Sequence, residues 1–370
     1  MAPIATTEAA VPARVLVCDD SAVVRAALSR VLEAEHGIQV VARVANGRQA
    51  IEAVRRTAVD IVLLDIEMPL MDGLTALPLL LASDPRLRVI MASTSTTRMA
   101  DATMRALQLG AADYIAKPSA LVGLGNEAFR RELLSKVRGL VRTAESMPRA
   151  LSARRLRPAS GKRPELLAVG CSTGGPQALF TLVQGLAGGL SVPMLVTQHM
   201  PPAFTITLAA HLERLSGLPC AEAVDGETLI PGSILIAPGD RHLTVEAGSA
   251  GLCVRLLNGP AVNYCCPAVD PMLESAAAAC GDRVLVAILT GMGHDGLAGT
   301  RRVVEAGGTA IAQDEATSVV WGMPGAVVQA GLCHAVLPLP EIAPKLLALL
   351  DTAAGGAVRN EWPLRDGRLP

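Results

Sequence analysis

The sequence predicts an α/β fold in two parts: an N-terminal five-stranded parallel (βα)5 domain, and a C-terminal doubly wound, mostly parallel α/β domain with a small β-hairpin region. Three observations predict this fold. The 370 residues are enough for two domains. Hydrophobic residues make up 51% of the chain and aromatic residues 2%, which indicates cores of Ala, Val, Leu and Ile. Short apolar runs alternate with helical patterns, which is typical of parallel strands buried on both faces.

Five strand-like runs define the N-terminal domain, which we place at residues 13–141. The runs cover 14–18, 38–44, 60–65, 88–92 and 113–116. Ser21 is a cap for the first helix, and Asn46-Gly47 opens the second. Residues 142–163 are rich in Arg and Lys and contain Pro, Ser and Gly, which predicts a basic flexible linker. A nucleic-acid-binding tail is the alternative interpretation of this segment.

The alternation of strands and helices resumes in the C-terminal domain, which we place at residues 164–355. Strands are predicted at 166–170, 193–198, 233–237, 252–256, 283–290 and 309–313. Helices are predicted at about 175–187, 202–214, 268–280, 295–306, 323–330 and 340–352. The stretch 220–260 has an all-β pattern with Pro-Gly and Gly-Asp turns, so we expect a hairpin region inserted in or edging the parallel sheet.

Composition and charge argue against several classes of protein. A net charge of −1 argues against nucleic-acid binding through a large basic field, and the few aromatic residues argue against base stacking. The chain contains no apolar run of about 18 residues, and its first 13 residues contain no Lys or Arg. We therefore expect a cytoplasmic protein that does not insert into a membrane. The eight Cys form no C-x-x-C pair, which indicates reduced thiols rather than a zinc site.

Polar residues that follow the N-terminal strands form the first candidate site. They are Asp19, Asp20, Asp65, Ser93 and Lys117. Because ligands bind at the carboxyl ends of strands in an open parallel sheet, we expect these side chains to meet at one edge. Clustered carboxylates repel one another, and a hard divalent cation such as Mg²⁺ relieves that repulsion. With the lysine and the hydroxyl, this set of side chains favours phosphoryl transfer to an aspartate.

Three motifs around this site resemble the signatures of response-regulator receiver domains. They are Val17-Cys18-Asp19-Asp20-Ser21, Asp65-Ile66-Glu67-Met68-Pro69 with Met71-Asp72-Gly73, and Asp113-Tyr114-Ile115-Ala116-Lys117-Pro118. The resemblance covers residues 14 to about 140 and implies that Asp65 is the phospho-acceptor of a chemotaxis-type histidine kinase. It also implies Mg²⁺ ligands and a set of switch residues. The ligands would be Asp19, Asp20, Asp65 and the Glu67 backbone carbonyl, and the switch residues Ser93, Tyr114 and Lys117. Cys18 departs from the family pattern, and we expect it to affect packing alone.

A second candidate site begins at Gly170-Cys171-Ser172-Thr173-Gly174-Gly175, between a strand and a helix. Gly170-x-Ser172-x-Gly174 has the G-x-S-x-G spacing of a nucleophile elbow, in which the helix N-terminus supplies N–H groups for an oxyanion. A phosphate-binding loop is the alternative, but neither dinucleotide-binding nor P-loop spacing is present. Ser172 is therefore a candidate nucleophile.

A serine nucleophile needs a base and a group that orients the base. His199 follows the strand 193–198, which places it at the same sheet edge as Ser172. Asp295 lies in a glycine-rich loop, 290–296, and is the best candidate to orient His199, although a helix cap is its alternative role. A second possible triad consists of Ser172, Asp270 and His294, which would restore the Ser-Asp-His order of α/β-hydrolases.

Residues of about 165–350 resemble the catalytic domain of the chemotaxis protein-glutamate methylesterases. The matching motifs are Gly170–Pro176, Gln198-His199-Met200-Pro201, Ile236-Ala237-Pro238-Gly239 and Leu289–Gly296. The resemblance implies Ser172 as nucleophile, His199 as base and Asp295 as orienter. The Thr173 and Met292 backbone N–H groups would be oxyanion donors. The implied reaction is demethylation of glutamyl methyl esters on methyl-accepting chemotaxis receptors through an acyl-enzyme, with deamidation of specific glutamines by the same chemistry. No cofactor is implied for the esterase step, and a monomer is the simplest expectation.

Two hypotheses remain beside that of a phosphorylation-gated esterase, in which phosphorylation of Asp65 relieves a block of the Ser172 edge. One is a receiver with a non-catalytic output that binds DNA or protein, and the other is a generic hydrolase of small esters. The chain also departs from the methylesterase pattern at Cys265-Cys266 and at Ala268. These departures put the substrate preference in doubt, but not the triad.

Overall fold

The structure is a computed structural model that describes residues 12–94, 96–118, 126–145, 156–249 and 251–351. The side chains of residues 97 and 142–145 are outside this description. The chain divides into two compact units, Met1–Met147 and Pro148–Pro370. Among the described residues, no helix combines the length and the apolar character needed to cross a bilayer.

The first unit contains one five-stranded parallel sheet. Its strands are β1 (Ala13–Cys18), β2 (Ile38–Val44), β3 (Ile61–Asp65), β4 (Arg88–Thr94) and β5 (Asp113–Lys117), in the order β2-β1-β3-β4-β5. Its helices are α1 (Ala22–Glu33), α2 (Gly47–Arg56), α3 (Gly73–Ser83), α4 (Thr97–Gln108) and α5 (Glu127–Glu145). The Ser21 hydroxyl accepts a hydrogen bond from Val24 N, and Asn46 Oδ1 accepts one from Gln49 N, so both helices begin at the side-chain caps that the sequence indicates.

The second unit is built on a seven-stranded sheet in which every paired strand is parallel. Its strands are β6 (Leu166–Cys171), β7 (Met194–Gln198), β8 (Cys220–Glu222), β9 (Ile234–Ile236), β12 (Val284–Ile288), β13 (Thr309–Gln313) and β14 (Ala335–Leu337). The helices are α6 (Gly175–Leu186), α7 (Pro202–Ser216), α8 (Val269–Cys280), α9 (Leu297–Glu305), α10 (Met323–Gln329) and α11 (Leu339–Leu350). The predicted α/β fold class is confirmed for both units.

The order of the seven strands, β14-β13-β12-β6-β7-β9-β8, places the first strand of this unit in the middle of the sheet. The strands from β7 to β9 lie on one side of β6, and the later strands, from β12 onward, lie on its other side. In such a sheet the crevice at the carboxyl ends of the strands, where the order reverses, is the ordinary ligand position. Ser172, His199 and the loop 290–296 all follow strands at this point.

The predicted hairpin is the antiparallel pair β10 (His242–Gly248) and β11 (Gly251–Leu257), which form a separate two-stranded sheet. The sequence did not indicate β10 as a strand, and it also missed β8 and β14, which have three residues each. Three residues are too few to show a periodic pattern.

The segment predicted as a linker, 142–163, lies partly outside the described residues, because residues 146–155 are not described. Its last part makes hydrogen bonds within the second unit. Arg157 N donates to Cys333 O (2.9 Å), and Ser160 N donates to Thr309 Oγ1 (2.8 Å).

Candidate active sites

Three carboxylates gather at the carboxyl edge of the first sheet. Asp19 and Asp20 follow β1 and Asp65 ends β3, its neighbour in the sheet. One oxygen from each of the three lies within 4.8 Å of the others. Asp19 and Asp65 are buried and Asp20 is exposed. Oxygen ligands at this spacing, open to solvent on one side, fit a hard divalent cation such as Mg²⁺.

Lys117, at the end of β5, reaches the same cluster. Its Nζ lies 2.7 Å from Asp65 Oδ1 and 3.0 Å from Asp19 Oδ2. Burial raises the pKa of Asp65 to about 6 against the opposing effect of the Lys117 charge. Burial works to lower the pKa of Lys117, but the carboxylates of Asp65 and Asp19 outweigh it and raise this pKa above its ordinary value. The lysine is therefore a fixed positive charge beside Asp65.

The other residues predicted for the first site have different surroundings. Ser93 is buried near the end of β4, and its hydroxyl donates to Thr94 O (3.3 Å). Tyr114 is buried, with Lys136 Nζ 4.8 Å from its ring centroid. The side chain of Glu67 is exposed and pairs with Arg98 at 3.2 Å. Of the residues predicted for this site, the three carboxylates and Lys117 form one cluster by the distances between their side chains in the described structure.

The second site begins where β6 ends. Ser172 is half-buried, its N donates to Thr290 O (3.0 Å), and its O accepts from Gln198 Nε2 (3.0 Å). Gly174 has a φ of 75°, in the region that favours glycine, and directly precedes α6. Within the described residues, no hydrogen bond of the Ser172 hydroxyl is found. The geometry is that of a strand-to-helix turn that leaves a serine hydroxyl available at the sheet edge.

The loop after β12 approaches the serine so closely that only glycine fits. A Cβ on Gly291 would lie 3.0 Å from both Ser172 Cβ and Ser172 N, and 2.3 Å from Met323 Sδ. Thr290 Oγ1 donates to Thr173 O at 2.9 Å, which joins this loop to the turn. Thr173 N makes no hydrogen bond that we find within the described residues. The turn and the loop therefore form one wall of the site.

His199 and Asp295 form a hydrogen-bonded pair at this edge. His199 Nε2 lies 2.8 Å from Asp295 Oδ2. His199 follows β7, which pairs with β6 up to Cys171 and Gln198, so His199 and Ser172 are the next residues on adjacent strands. Burial lowers the pKa of His199, but hydrogen bonds to Asp295 and Cys265 outweigh burial and raise it to about 9.

Asp295 is buried and its two oxygens accept several hydrogen bonds. Besides His199, the donors are Val269 N (2.7 Å), Asn263 Nδ2 (2.9 Å), Gly296 N (3.0 Å) and Asp270 N (3.2 Å). Burial works to raise the pKa of Asp295, but the bonds from His199, Val269 N and Asn263 lower it below its ordinary value. Asp295 is thus a carboxylate held in one orientation toward His199.

The alternative triad of Ser172, Asp270 and His294 is not assembled. Asp270 Oδ1 accepts from Gly299 N (2.7 Å), and Asp270 Oδ2 accepts from Asn263 Nδ2 (2.9 Å). His294 is exposed, and in the described part of the chain we find no contact between its ring and Asp270. The structure brings His199 and Asp295 together instead.

Two residues in contact with this pair were not among the predicted site residues. The Asn263 amide lies between Asp295 and Asp270, and Cys265 Sγ lies 3.4 Å from His199 Nδ1. Cys265 stood out in the sequence only as a departure from the family pattern. Nothing in the sequence pattern marked Asn263.

Fold and sites define a class of protein: a receiver-like α/β unit with an acidic cluster, followed by an α/β unit with a serine, a histidine and an aspartate at its sheet edge. The family profile described as "Response regulator receiver domain" matches residues 15–127, and that described as "CheB methylesterase" matches residues 167–346. Both matches agree with the class that the geometry defines.

Curated relatives extend this similarity to nearly the whole chain. A protein-glutamate methylesterase/protein-glutamine glutaminase of Paramagnetospirillum magneticum is 51% identical, over 91% of this chain and 96% of the relative. Relatives of the same designation from Azospirillum brasilense (50%, over 93% and 94%) and Caulobacter vibrioides (52%, over 92% and 100%) are similar. The chain belongs to the protein-glutamate methylesterase/protein-glutamine glutaminase family, and it is a hydrolase with a receiver domain. A receiver with a non-catalytic output is therefore the wrong hypothesis for this chain.

Proposed function

We propose that this chain is a phosphorylation-activated protein-glutamate methylesterase of the cytoplasm, which demethylates glutamyl methyl esters on methyl-accepting chemotaxis receptors and deamidates specific receptor glutamines. The observation that carries the esterase proposal is the His199–Asp295 pair, one strand from Ser172. A histidine oriented by a buried carboxylate beside a serine on a strand-to-helix turn is the arrangement that acyl transfer requires.

In this mechanism His199 uses Nδ1, because Nε2 is bonded to Asp295. Ser172 Oγ gives its proton to Nδ1 as it attacks the ester carbonyl carbon. Methanol leaves with that proton, and an acyl-Ser172 remains. Water then gives a proton to Nδ1 and attacks the acyl carbon. The bond from that carbon to Ser172 Oγ breaks, Oγ takes the proton back from Nδ1, and glutamate is released. A glutamine substrate follows the same path with ammonia as the leaving group.

Thr173 N–H and Met292 N–H are the proposed donors to the oxyanion of the tetrahedral intermediate. The Thr173 N–H lies at the turn that opens α6, where unpaired backbone N–H groups favour negative charge. Met292 follows Gly291, the residue whose close approach to Ser172 brings the loop to the serine.

The regulatory proposal is that a chemotaxis-type histidine kinase phosphorylates Asp65. Asp19, Asp20 and Asp65 would hold Mg²⁺, with the Glu67 carbonyl as a further ligand, and the ion would supply positive charge beside the phosphoryl oxygens. Lys117 is in place to contact the same oxygens, since its Nζ already lies 2.7 Å from Asp65. Ser93 and Tyr114 are the proposed switch residues.

Methanol release from a methylated receptor tests the esterase proposal. Ser172→Ala and His199→Ala should each lose activity by at least about 10³-fold, because the nucleophile and base act as a unit. Full activity in Ser172→Ala would refute the mechanism. Rapid turnover of small soluble esters without action on the receptor would favour the generic hydrolase.

Activation is tested by adding a small-molecule phosphodonor with Mg²⁺ to the full chain. The rate of methanol release should rise in the wild type and in Asp84→Asn, a carboxylate outside the acidic cluster, but not in Asp65→Asn. An equal response in Asp65→Asn would contradict the proposal that phosphorylation acts through this residue.

A further inference from the structure

A two-residue turn carries a thiol to His199. Val262 and Cys265 exchange both backbone hydrogen bonds, at 3.0 and 2.9 Å. The residues between them, Asn263 and Tyr264, have φ values of 51° and 65°, as at the central positions of a type I′ turn. Side chains other than glycine persist in this region only where their surroundings hold them. The turn therefore presents Cys265 from a fixed backbone.

Side-chain contacts attach this turn to both members of the His–Asp pair. The Asn263 amide donates to Asp295 Oδ1 (2.9 Å), and Cys265 Sγ lies 3.4 Å from His199 Nδ1. Because Nε2 is bonded to Asp295, Nδ1 is the nitrogen that must take the proton of Ser172 in the proposed mechanism. The thiol of Cys265 thus lies beside the nitrogen that the proposed base uses.

The same contact gives Cys265 the surroundings of a reactive thiol. Thiols react as thiolates, and an adjacent imidazole that can hold the proton promotes the thiolate. Cys265 is half-buried, so a small reagent can reach it. Five other cysteines are buried, namely Cys18, Cys171, Cys220, Cys280 and Cys333. Cys253 and Cys266 share the intermediate exposure of Cys265, but the contact with a His–Asp pair is recorded for Cys265 alone among the described cysteines.

We propose that Cys265 is an oxidative modification site for small peroxides, and that its oxidation disables His199. This proposal rests on the proposed esterase function. His199 Nδ1 takes the thiol proton while Sγ attacks one oxygen of hydrogen peroxide, so that an S–O bond forms and the O–O bond breaks. The departing hydroxide takes the proton from Nδ1 and becomes water. The sulfur is oxidised by two electrons to a sulfenic acid, and the peroxide is reduced.

The sulfenic acid has an oxygen between Sγ and Nδ1, so the nitrogen engages the modified side chain instead of Ser172. A dithiol reductant removes that oxygen as water, is itself oxidised to a disulfide, and restores the thiol of Cys265. Loss of activity should therefore be reversible.

The test uses the full chain with phosphodonor, Mg²⁺ and methylated receptor, before and after hydrogen peroxide. Wild type and Cys266→Ser, which loses the adjacent thiol, should each lose methanol release on the order of a thousandfold, as expected when the general base is disabled, and regain it with dithiothreitol. After peroxide, Cys265→Ser and Cys265→Ala should each retain most of the rate that the same variant shows before treatment. Dimedone labelling and peptide mass spectrometry should place the sulfenic acid at Cys265.

Three results would overturn the proposal. They are a loss of methanol release after peroxide in both Cys265 variants equal to that of the wild type, dimedone labelling at another cysteine instead of Cys265, or full labelling of Cys265 without loss of activity. The labelling rate separates this proposal from the proposed function, because it needs no receptor. His199→Ala should slow labelling at Cys265 whether or not the chain is an esterase. Absence of methanol release by the untreated wild type would refute the esterase function alone. Unchanged labelling in His199→Ala would overturn the role of His199 in activating the thiol.

Discussion

Replacing Asp295 by Asn places one amide group where the structure requires two acceptors. The two carboxylate oxygens face donors alone: Oδ2 faces His199 Nε2 and Val269 N, and Oδ1 faces Asn263 Nδ2, Asp270 N and Gly296 N. Whichever way the new amide lies, its NH₂ group faces a backbone N–H. The orientation that keeps Oδ1 as acceptor satisfies three donors instead of two, so we expect that orientation.

In that orientation the NH₂ group points at His199, whose Nε2 must then accept. The ring proton moves to Nδ1, the nitrogen that receives the proton of Ser172 in the proposed mechanism. A serine triad whose histidine is held in the wrong tautomer loses about 10⁴-fold in kcat, which corresponds to about 5.4 kcal/mol of transition-state free energy. The unsatisfied Val269 N–H should lower the free energy of unfolding by roughly 1–3 kcal/mol.

The assay is kcat for methanol release at saturating methylated receptor, with denaturant unfolding measured in parallel. Asp270→Asn is the matched control, because Asp270 shares the Asn263 amide with Asp295 but does not contact His199 in the described structure. We expect less than about a tenfold loss in this control, or about 1.4 kcal/mol. A folded Asp295→Asn protein within tenfold of wild type, or an equal loss in Asp270→Asn, would refute the tautomer explanation.

Three further predictions follow from the same site. The proposed base must be neutral, and hydrogen bonds to Asp295 and Cys265 raise the pKa of His199 to about 9. The value of kcat/KM should therefore rise with pH and reach half of its maximum near pH 9, and Cys265→Ala should move this half-maximum to lower pH. A pH profile unchanged in Cys265→Ala would contradict the contribution of the thiol to the pKa of His199. Gly291→Ala should lower both kcat and the unfolding temperature, since its Cβ would lie 2.3 Å from Met323 Sδ, whereas Gly161→Ala, which meets nothing within 4 Å, should change neither. Asn263→Gly keeps the turn but removes the amide between two carboxylates, so steady-state kinetics should show a loss of kcat of about tenfold.

The sheet edges were predictable because the apolar strands and the polar residues that follow them are visible in the sequence. Apolar runs that stop at Asp19 and Asp65 identify parallel strands, and parallel strands bring their carboxyl ends to one edge. The same reasoning put His199 beside the Ser172 strand, and in the structure the two residues directly follow adjacent strands. The contact between His199 and Asp295 was predictable for the same reason, because the loop 290–296 follows another strand of this sheet.

The turn that carries Asn263 and Cys265 was not predictable, because its backbone departs from what its residues favour. Two-residue turns with positive φ at both positions usually contain glycine, and Asn263-Tyr264 offers only one residue that tolerates this conformation well. The energy that holds Tyr264 there comes from tertiary contacts, including the Asn263 bonds to two carboxylates. A one-dimensional pattern contains no record of such contacts.

The charge balance of the two sites supports assigning Mg²⁺ to the first site. The acidic cluster contains the three carboxylates of Asp19, Asp20 and Asp65, with the single ammonium of Lys117 between two of them. Ionised, these groups leave an excess of two negative charges, and the pKa of Asp65 is raised first by burial and in smaller part by the negative charge of Asp19. At the second site the buried carboxylate of Asp295 already has a partner, because its hydrogen bond with His199 lowers the pKa of Asp295 and raises that of His199 against the opposing effects of burial. A divalent cation would therefore relieve repulsion at the first edge, whereas at the second edge it would have to displace the hydrogen bond on which the esterase mechanism depends.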